Sequence, residues 1–315
     1  MTNLKLSEVE FGAKAEGYAL VLEVVEKMTR TGKPYVEVKI TDGETEAIAK
    51  RWDTPKTTMI PYEKKPALLT ISCKSYQGAR DFTIEDIRIP KNDVKVSDFI
   101  RKAPLESEYM YDEIIKAVES VSDGTDGSLS ALVKNIYEDN KEKLLTWGAA
   151  SGVHHNFYGG LLYHTYRMVK LAEAMLPIYD LDAELLLSAT ALHDIGKLKE
   201  LDTDEFGESI YSLDGQLFGH ALLGIEMIDE EAGKREYNAD RIRCIKHCIA
   251  SHHGHREWGA VSLPMIEEAM VLHLIDMMDS RIQIFDQNKT GIEPGSVSEE
   301  KIRALDGVSI YIPEK

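Results

Sequence analysis

The pattern of hydrophobic and polar positions in this chain changes once, near residue 90. Between residues 14 and 90 the apolar residues form short β-like runs separated by turn-like segments. The five runs are Gly17–Val25, Pro34–Asp42, Glu46–Asp53, Ala67–Tyr76 and Asp81–Ile89. Five short strands in fewer than about eighty residues predict a small closed barrel, and the OB-fold is the commonest five-stranded form. A sandwich fragment or an SH3-like barrel also fits this pattern.

From about Ser107 onward, apolar residues recur at spacings of three and four, which is typical of helices. The clearest helical segments are Tyr109–Val121, Leu129–Tyr137, Leu161–Leu176, Ala183–His193, Ala221–Ile228, Ile242–Ser251 and Ile266–Ile284. We therefore predict a multidomain α and β protein, with an N-terminal five-stranded OB-type barrel followed by an all-α domain. The predicted boundaries are 1–92 for the barrel, 93–140 for a helical connector and 141–315 for the all-α domain.

The composition is that of a folded protein, with 43% hydrophobic and 29% charged residues among 315. The sequence shows neither an apolar run near the roughly 18 residues of a membrane span nor the layout of a signal peptide at its start. Three cysteines in a chain of this length do not form a disulfide framework. These features predict a cytoplasmic protein.

The formal net charge of −17 argues against a protein that coats nucleic acid nonspecifically, because affinity for phosphates comes from lysine and arginine. The charge is unevenly distributed, however. Residues 1–90 carry 14 basic and 14 acidic side chains, so the whole net charge lies in the predicted all-α part and its connector. A carboxylate-rich region can bind metal cations, and a bound cation inverts the local electrostatics towards phosphate.

The ten histidines are confined to one part of the chain, since the first is His154. Several predicted helices carry or end in a metal-ligand type of side chain: His164, His193, Asp194, His220, His252, His253, Asp276 and Asp279. Helical bundles build metal sites in this way, from inward-facing side chains on several helices. Asp276 is especially informative, because an unpaired carboxylate inside an apolar helix is costly.

The predicted donors are imidazole nitrogens and carboxylate oxygens, with Asp194 able to bridge two ions. Such a mixed set favours manganese, with iron, zinc or cobalt as alternatives, and suits magnesium less well. A bound metal lowers the pKa of its water, which yields hydroxide near neutral pH for attack on phosphorus. Gly196, just after His193 and Asp194, is placed to end their helix.

The ordered series from His164 to Asp276 resembles the HD-domain phosphohydrolases. This resemblance implies that His164, His193, Asp194 and Asp276 form the basic metal set. It also implies that His220 and His252, with His253 as a further candidate, complete a second metal site. Lys197 matches a lysine that faces the substrate phosphate in related enzymes, so Asp194 and Lys197 are the predicted catalytic residues.

Four longer stretches are similar to the YhaM family of 3′-to-5′ exoribonucleases: Val153–Thr165, Gly219–Ile228, Ala250–Ala260 and Val271–Ile282. That family joins an N-terminal OB-fold to a C-terminal HD domain, and the resemblance covers nearly the whole chain. It implies hydrolysis of RNA from the 3′ end. The sequence departs from the family after "SHHG", where "EWGAVSLP" stands in place of a tyrosine and Ser-Pro.

An OB-type barrel beside a phosphodiesterase site is interpreted as a module that holds a single strand through stacking aromatics and basic residues. The candidate contacts are Lys33, Arg51, Trp52, Tyr76 and Arg80, with Tyr35, Lys50, Lys74 and Phe82 nearby. For each aromatic taken singly, packing in the barrel core or a hairpin is the more common role. Near His164, the residues His155 and Arg167 are candidates for phosphate contact or for local pairing.

Three functions remain open at this stage. The leading hypothesis is a metal-dependent exoribonuclease acting on single-stranded RNA, with single-stranded DNA as a second substrate and a homo-oligomer as its assembly. The first alternative is an HD phosphohydrolase of nucleotides or cyclic dinucleotides, which would have no need of a strand-binding barrel. The second is a non-catalytic single-strand-binding protein with an HD scaffold, which would have no need of a full ligand set.

Overall fold

The computed structural model describes residues 2–29, 31–76, 79–100, 102–148, 158–203 and 209–314. The chain forms two compact units, Met1–Arg101 and Lys102–Lys315. Residues 102–140, assigned to a connector by the sequence pattern, lie within the second unit. Their helices belong to its core, because Ile114 and Leu132 are fully buried among residues of the later helices.

The first unit is a closed five-stranded barrel, which confirms the predicted OB-type architecture. Its strands are β1 (Lys14–Met28), β2 (Pro34–Thr41), β3 (Glu46–Trp52), β4 (Lys65–Tyr76) and β5 (Ala79–Arg88), with a short helix α1 (Lys56–Met59) before β4. They close in the order β1-β2-β3-β5-β4. The β3–β5 pair is parallel and the other pairs are antiparallel. A register shift between Val21 and Glu23 interrupts the β1–β2 ladder, and β1 pairs with β4 through its first half.

The alternation along β2 and β3 separates the barrel core from the outer face. On β2 the alternate residues Val36, Val38 and Ile40 are fully buried. They form a row of β-branched side chains that points into the barrel. On β3, Ala49 is fully buried, whereas Ile48 and Trp52 are about half exposed. The sequence left the orientation of β3 ambiguous, and the structure turns Trp52 outward.

The second unit is helical. It comprises α2 (Ser107–Glu119), α3 (Leu129–Asp139), α4 (Lys141–Leu144), α5 (Gly160–Met175), α6 (Ala183–Leu192), α7 (Lys197–Glu200), a hairpin of β6 (Leu201–Thr203) and β7 (Ser209–Tyr211), α8 (Leu213–Ala232), α9 (Ala239–Ser251) and α10 (Glu267–Asn288). No helix within the described ranges is long and apolar enough to cross a membrane.

Helix α6 lies at the centre of this unit. Its residues from Leu185 to Leu192 are all buried, and a helix that is apolar on every side must be surrounded by other elements. It contacts α2, α3, α5, α9 and α10. The residues that follow its C-terminal end therefore lie where several helices converge.

Gly196 has a different role from the one predicted. Helix α6 already ends at Leu192, and Gly196 has a right-handed φ of −63° at the start of α7, so it is not a left-handed helix stop. Its missing side chain matters for packing instead. A Cβ there would lie 2.0 Å from the carbonyl oxygen of His220 and 2.5 Å from the amide nitrogen of Gly224. Glycine is needed because α8 crosses the chain at this point.

Candidate metal centre

Histidines and aspartates from five parts of the helical unit converge on one buried centre. Two groups each place their donor atoms within 4.8 Å of one another: His164, His193 and Asp276 in one, and His220, His252 and His253 in the other. His164 lies on α5, His220 on α8 and Asp276 on α10, while His193 directly follows α6 and His252 and His253 follow α9. The structure thus brings together all the histidines and aspartates that the sequence singled out as ligands.

Asp194 lies between these two groups and faces both. Its Oδ2 is 3.3 Å from Nε2 of His193 and 3.8 Å from Nε2 of His164. Its Oδ1 is 3.4 Å from Nε2 of His220 and 3.9 Å from Nε2 of His252. One carboxylate with one oxygen towards each group has the geometry of a bridge between two cations.

Two of the imidazoles are oriented by the helix ends that precede them. The ring nitrogen Nδ1 of His193 is 2.8 Å from the carbonyl oxygen of Thr190, and Nδ1 of His252 is 2.6 Å from that of Ile249. Carbonyls in the last turn of a helix have no intrahelical partner, so the carbonyls of Thr190 and Ile249 are free to accept a hydrogen bond from the ring N–H. Each bond places hydrogen on Nδ1 and leaves the lone pair of Nε2 facing the centre.

The His164 ring is oriented by a carboxylate instead. Its Nδ1 is 2.8 Å from Oδ2 of Asp279, whose Oδ1 accepts from Nε of Arg167 at 2.7 Å. Arg167 also donates to Oε1 of Gln283 at 2.6 Å. Arg167 therefore pairs locally and supports the His164 orientation through Asp279, which is the second of the two roles considered for it.

The His220 ring is likewise oriented by a carboxylate, that of Glu200. Its Oε1 accepts from both Nδ1 and the backbone N–H of His220, each at 3.0 Å. That N–H is available because α8 is kinked at Gly219, whose φ of 70° and ψ of 159° are not helical. The Glu200 role was missed because no sequence spacing links α7 to α8. Asp279 did carry a signal, as a second carboxylate one turn after Asp276 on an apolar helix.

The spacing of the ring nitrogens fits a cation. The Nε2 atoms of His164 and His193 are 3.2 Å apart, and those of His220 and His252 are 3.3 Å apart. Burial, together with the neighbouring His253, lowers the pKa of His252 to about 3, so this ring stays neutral at physiological pH. Among the described residues, the buried Nδ1 of His253 also has no hydrogen-bond partner. A metal ion would satisfy all of these nitrogens at once.

The carboxylates of the centre are held in their charged form. Burial opposes ionisation of Asp276, but hydrogen bonding to His164 outweighs it and lowers its pKa. Burial likewise opposes ionisation of Asp194, and the charges of Lys197 and His193 lower its pKa well below the usual value. Two ionised and buried carboxylates among these imidazoles attract a cation strongly.

Lys197 lies 2.8 Å from Asp194, measured from its Nζ to Oδ2. Burial alone would lower the pKa of this amine, but the Asp194 charge outweighs that effect and raises it. The side chain therefore stays charged at the edge of the cluster. An ammonium has three donors, so Lys197 keeps donors for a further acceptor.

The other predicted contacts are His155 and five residues of the barrel unit. His155 falls outside the described residues. On the barrel, Lys33 pairs with Asp53 at 3.4 Å, and the outward Trp52 stacks on Tyr35 with 4.8 Å between ring centroids. Of the remaining three candidates, Tyr76 and Arg80 are exposed and Arg51 is half-buried. The Arg80 guanidinium lies over the Phe11 ring.

A cavity of about 580 Å³ lies on the barrel surface, with Lys50 and Arg80 in its wall together with Ile48, Glu37 and Asp81. Lys50 pairs with Asp81 at 2.7 Å. Phe82 is buried in the barrel core, which removes it from the candidate contacts.

Comparisons with known proteins point to the same centre. Residues 161–281 match the HD domain family. The 3′-5′ exoribonuclease YhaM of Oceanobacillus iheyensis is 32% identical over 308 residues, which cover 96% of this chain and 95% of that protein. The similarity therefore extends over both units, and the HD match spans the candidate ligands from His164 to Asp276.

Proposed function

The chain belongs to the YhaM family of 3′-to-5′ exoribonucleases, and from this premise we propose that it degrades single-stranded RNA through two divalent metal ions held around Asp194. The observation that carries the proposal is the position of Asp194, with one oxygen towards each of two three-residue donor groups. The chain is a hydrolase with an HD domain, and the residue roles below are our assignment.

His164, His193 and Asp276 would hold one ion, and His220, His252 and His253 the other, with Asp194 shared. Nitrogen and oxygen donors together favour manganese, with iron, zinc, cobalt and magnesium as alternatives. Ions in such a pair supply an activated water and neutralise charge on the phosphate. The chain supplies the geometry: Nδ1 hydrogen bonds fix each of four imidazoles before any ion binds, through Asp279, Thr190, Glu200 and Ile249.

Lys197 is the residue of the cluster that we assign to the substrate phosphate. Its ammonium is held by Asp194 and stays charged, so it can donate to a phosphate oxygen without first having to be desolvated. Placing a cation beside the bridging carboxylate also offsets part of the negative charge that would repel RNA. This matters because residues 91–315 carry the whole net charge of the protein.

We assign strand holding to the barrel. Trp52 presents an aromatic face outward, Tyr76 is well exposed, and Lys33, Arg51 and Arg80 supply positive charge. Stacking and phosphate contacts of this kind bind single strands with little sequence preference, so single-stranded DNA is a second candidate substrate. A cytoplasmic location and a homo-oligomeric assembly remain predictions from the sequence.

The decisive experiment uses the full chain, Mn²⁺ and a single-stranded RNA labelled at its 5′ end. We expect a ladder of progressively shorter labelled products. An Asp194→Asn variant should bind less metal, and its rate of RNA cleavage should fall at least about 10³-fold. The reason is that the ligand shared by both groups is removed. An Asp286→Asn variant is the matched control, since Asp286 pairs with Lys289 on the surface of α10.

Each alternative gives a different result in this assay. Immediate release of a labelled mononucleotide would show the opposite polarity. Intact RNA, together with hydrolysis of a mononucleotide or a cyclic dinucleotide, would identify a small-molecule phosphohydrolase. Retention of RNA without any hydrolysis in the presence of metal would identify a binding protein with an inactive HD domain.

A further inference from the structure

A cavity of about 260 Å³ lies beside the metal centre, and the proposed function leaves it unassigned. His253 and Asp276 form part of its wall, so it borders one donor from each of the two groups. The remaining wall is built mainly by Trp258 and by one side of α10, including Met277, Arg281 and Ile284. Any group in this cavity therefore lies next to the metal centre.

Trp258 is positioned by a tight backbone turn rather than by burial. It ends a short 3₁₀ segment, and the next residue, Gly259, has a φ of 96° that a residue with a side chain rarely adopts. The N–H of Ala260 donates to the carbonyl of His255 across this turn at 3.1 Å. The His255 ring packs edge-on against the indole, with 4.3 Å between ring centroids. The indole is thus fixed in place while 51% of the residue remains exposed.

The α10 side of the wall combines apolar surface with a cation. Met277 and Ile284 are partly buried on α10. Between them, Arg281 donates to Oδ2 of Asp306 at 2.8 Å, with 39% and 71% of the two side chains exposed. An exposed pair of this kind contributes little to stability, so Arg281 can exchange Asp306 for a polar group of a ligand.

An exposed indole face, an apolar wall and a guanidinium are the elements by which proteins hold an unstacked nucleobase. The cavity volume lies just below the roughly 300–1,000 Å³ typical of small-molecule sites, which suits one nucleoside and excludes several. Resting on the proposed exoribonuclease activity, we propose that this cavity receives the 3′-terminal nucleoside of the RNA, with its base stacked on Trp258. A site for one nucleoside beside the ions places the last phosphodiester bond at the metal centre, so each cleavage releases one nucleotide.

The test compares RNAs that end in adenosine with RNAs that end in an abasic ribose, under conditions where the chemical step is rate-limiting. For the native protein, we expect removal of the base to lower kcat/KM about tenfold, because a stacked base contributes a factor of this order. In Trp258→Ala the adenosine-ended RNA should fall to the same level, and removal of the base should cost nothing further. Trp258→Phe should restore most of the discrimination. Tyr179→Ala, which removes an aromatic exposed to a similar extent elsewhere in the helical unit, should behave as the native protein.

A binding measurement gives a second readout that does not depend on turnover. Adenosine 5′-monophosphate, added with Mn²⁺, should quench the tryptophan fluorescence of the native protein. In Trp258→Phe the nucleotide should still bind, but the quenching should disappear, because neither of the remaining tryptophans, Trp52 and Trp147, lines the cavity.

The inference is overturned if Trp258→Ala cleaves both RNAs at the native rates, or if the abasic end costs the same factor in the native and variant proteins. Persistence of the quenching in Trp258→Phe would also overturn it. These results differ from failure of the proposed function, in which RNA would stay intact with every protein, including the native one.

Discussion

The barrel and the helical unit both present polar side chains that the sequence marks as functional, but they do so in opposite ways. On the barrel, Lys33 and Asp53 form a surface pair whose side chains are 68% and 67% exposed. In the helical unit, the His193 and Asp194 side chains are 1% and 6% exposed, and each has a defined partner. One region is an open surface, while the other is a closed polar cluster.

This difference in burial determines how each region responds to an amino-acid substitution. Exposed pairs exchange readily with water, so each contributes little and its loss is tolerated. Buried polar groups must all be satisfied together, because a single unpaired donor or acceptor in the interior costs about 1–3 kcal/mol. We therefore expect graded effects from substitutions on the barrel and near-complete effects from substitutions in the cluster.

The largest effect outside the proposed ligands should come from Asp279. Asp279→Asn removes the charge that orients His164 and pairs with Arg167, and loss of such a supporting group typically weakens metal affinity about 10- to 100-fold. Competition with a metal chelator measures this affinity directly. Asp286→Asn, on the same helix, is the control and should bind metal as the native protein does. Equal affinities in the two variants would mean that the cluster tolerates substitution as the barrel surface does.

A smaller effect is expected from Trp52 on the barrel. Trp52→Ala removes one outward stacking face, so KM for a long RNA should rise about fivefold while kcat stays unchanged. Cleavage of a di- or trinucleotide should not change, because we assign so few nucleotides to the metal centre alone. Ile60→Ala provides the matched control, since Ile60 is an apolar barrel residue of similar exposure. A loss of kcat on the short substrate would contradict the separation of roles.

An effect on stability rather than on activity is a pH dependence that only the metal-free protein should show. Burial disfavours the charged form of His164, but hydrogen bonds to Asp276 and Asp279 outweigh it and raise its pKa to about 9. The unfolded value is about 6.5, so the folded state binds the extra proton between these two values. The stabilisation is complete below about pH 6.5, and the free energy of unfolding falls as the pH rises towards 9.

Bound metal should abolish this slope, because the ring then coordinates through a nitrogen that carries no proton. Urea denaturation at several pH values between 6.5 and 9, with chelator and with Mn²⁺, measures both curves. His252 does not interfere in this interval, since its lowered pKa affects stability only below about pH 6.5, where stability rises with pH. Parallel curves with and without metal would show that His164 is not a ligand.

Much of the fold followed from local patterns. The five β-like runs correspond to β1–β5, and the long helices lie close to their predicted positions, because alternation and helical periodicity are properties of neighbouring residues. Helix α8 is the main exception. It begins at Leu213 rather than near Ala221. The helix is kinked at Gly219, and a glycine at that point of the sequence does not predict a continuous helix.

The chemical identity of the centre was also readable in the sequence. Histidines confined to one part of the chain, a His-Asp pair after an apolar helix and a carboxylate within α10 are local features that predict a metal-binding helical unit. They carried no information about which residue supports which ligand. Arg167 illustrates the limit, because its partners Asp279 and Gln283 lie more than a hundred positions away.

The sequence by itself determined the elements, their order and the types of side chain available for chemistry. Only the tertiary structure decided that Asp194 faces both donor groups, that Glu200 and Asp279 orient His220 and His164, and that Gly196 is needed for the crossing of α8 rather than to end a helix. It also decided that Trp258 borders the centre across a cavity. The physical reason is that secondary structure reflects contacts between near neighbours, whereas a buried polar cluster is defined by distances between helices that packing alone sets.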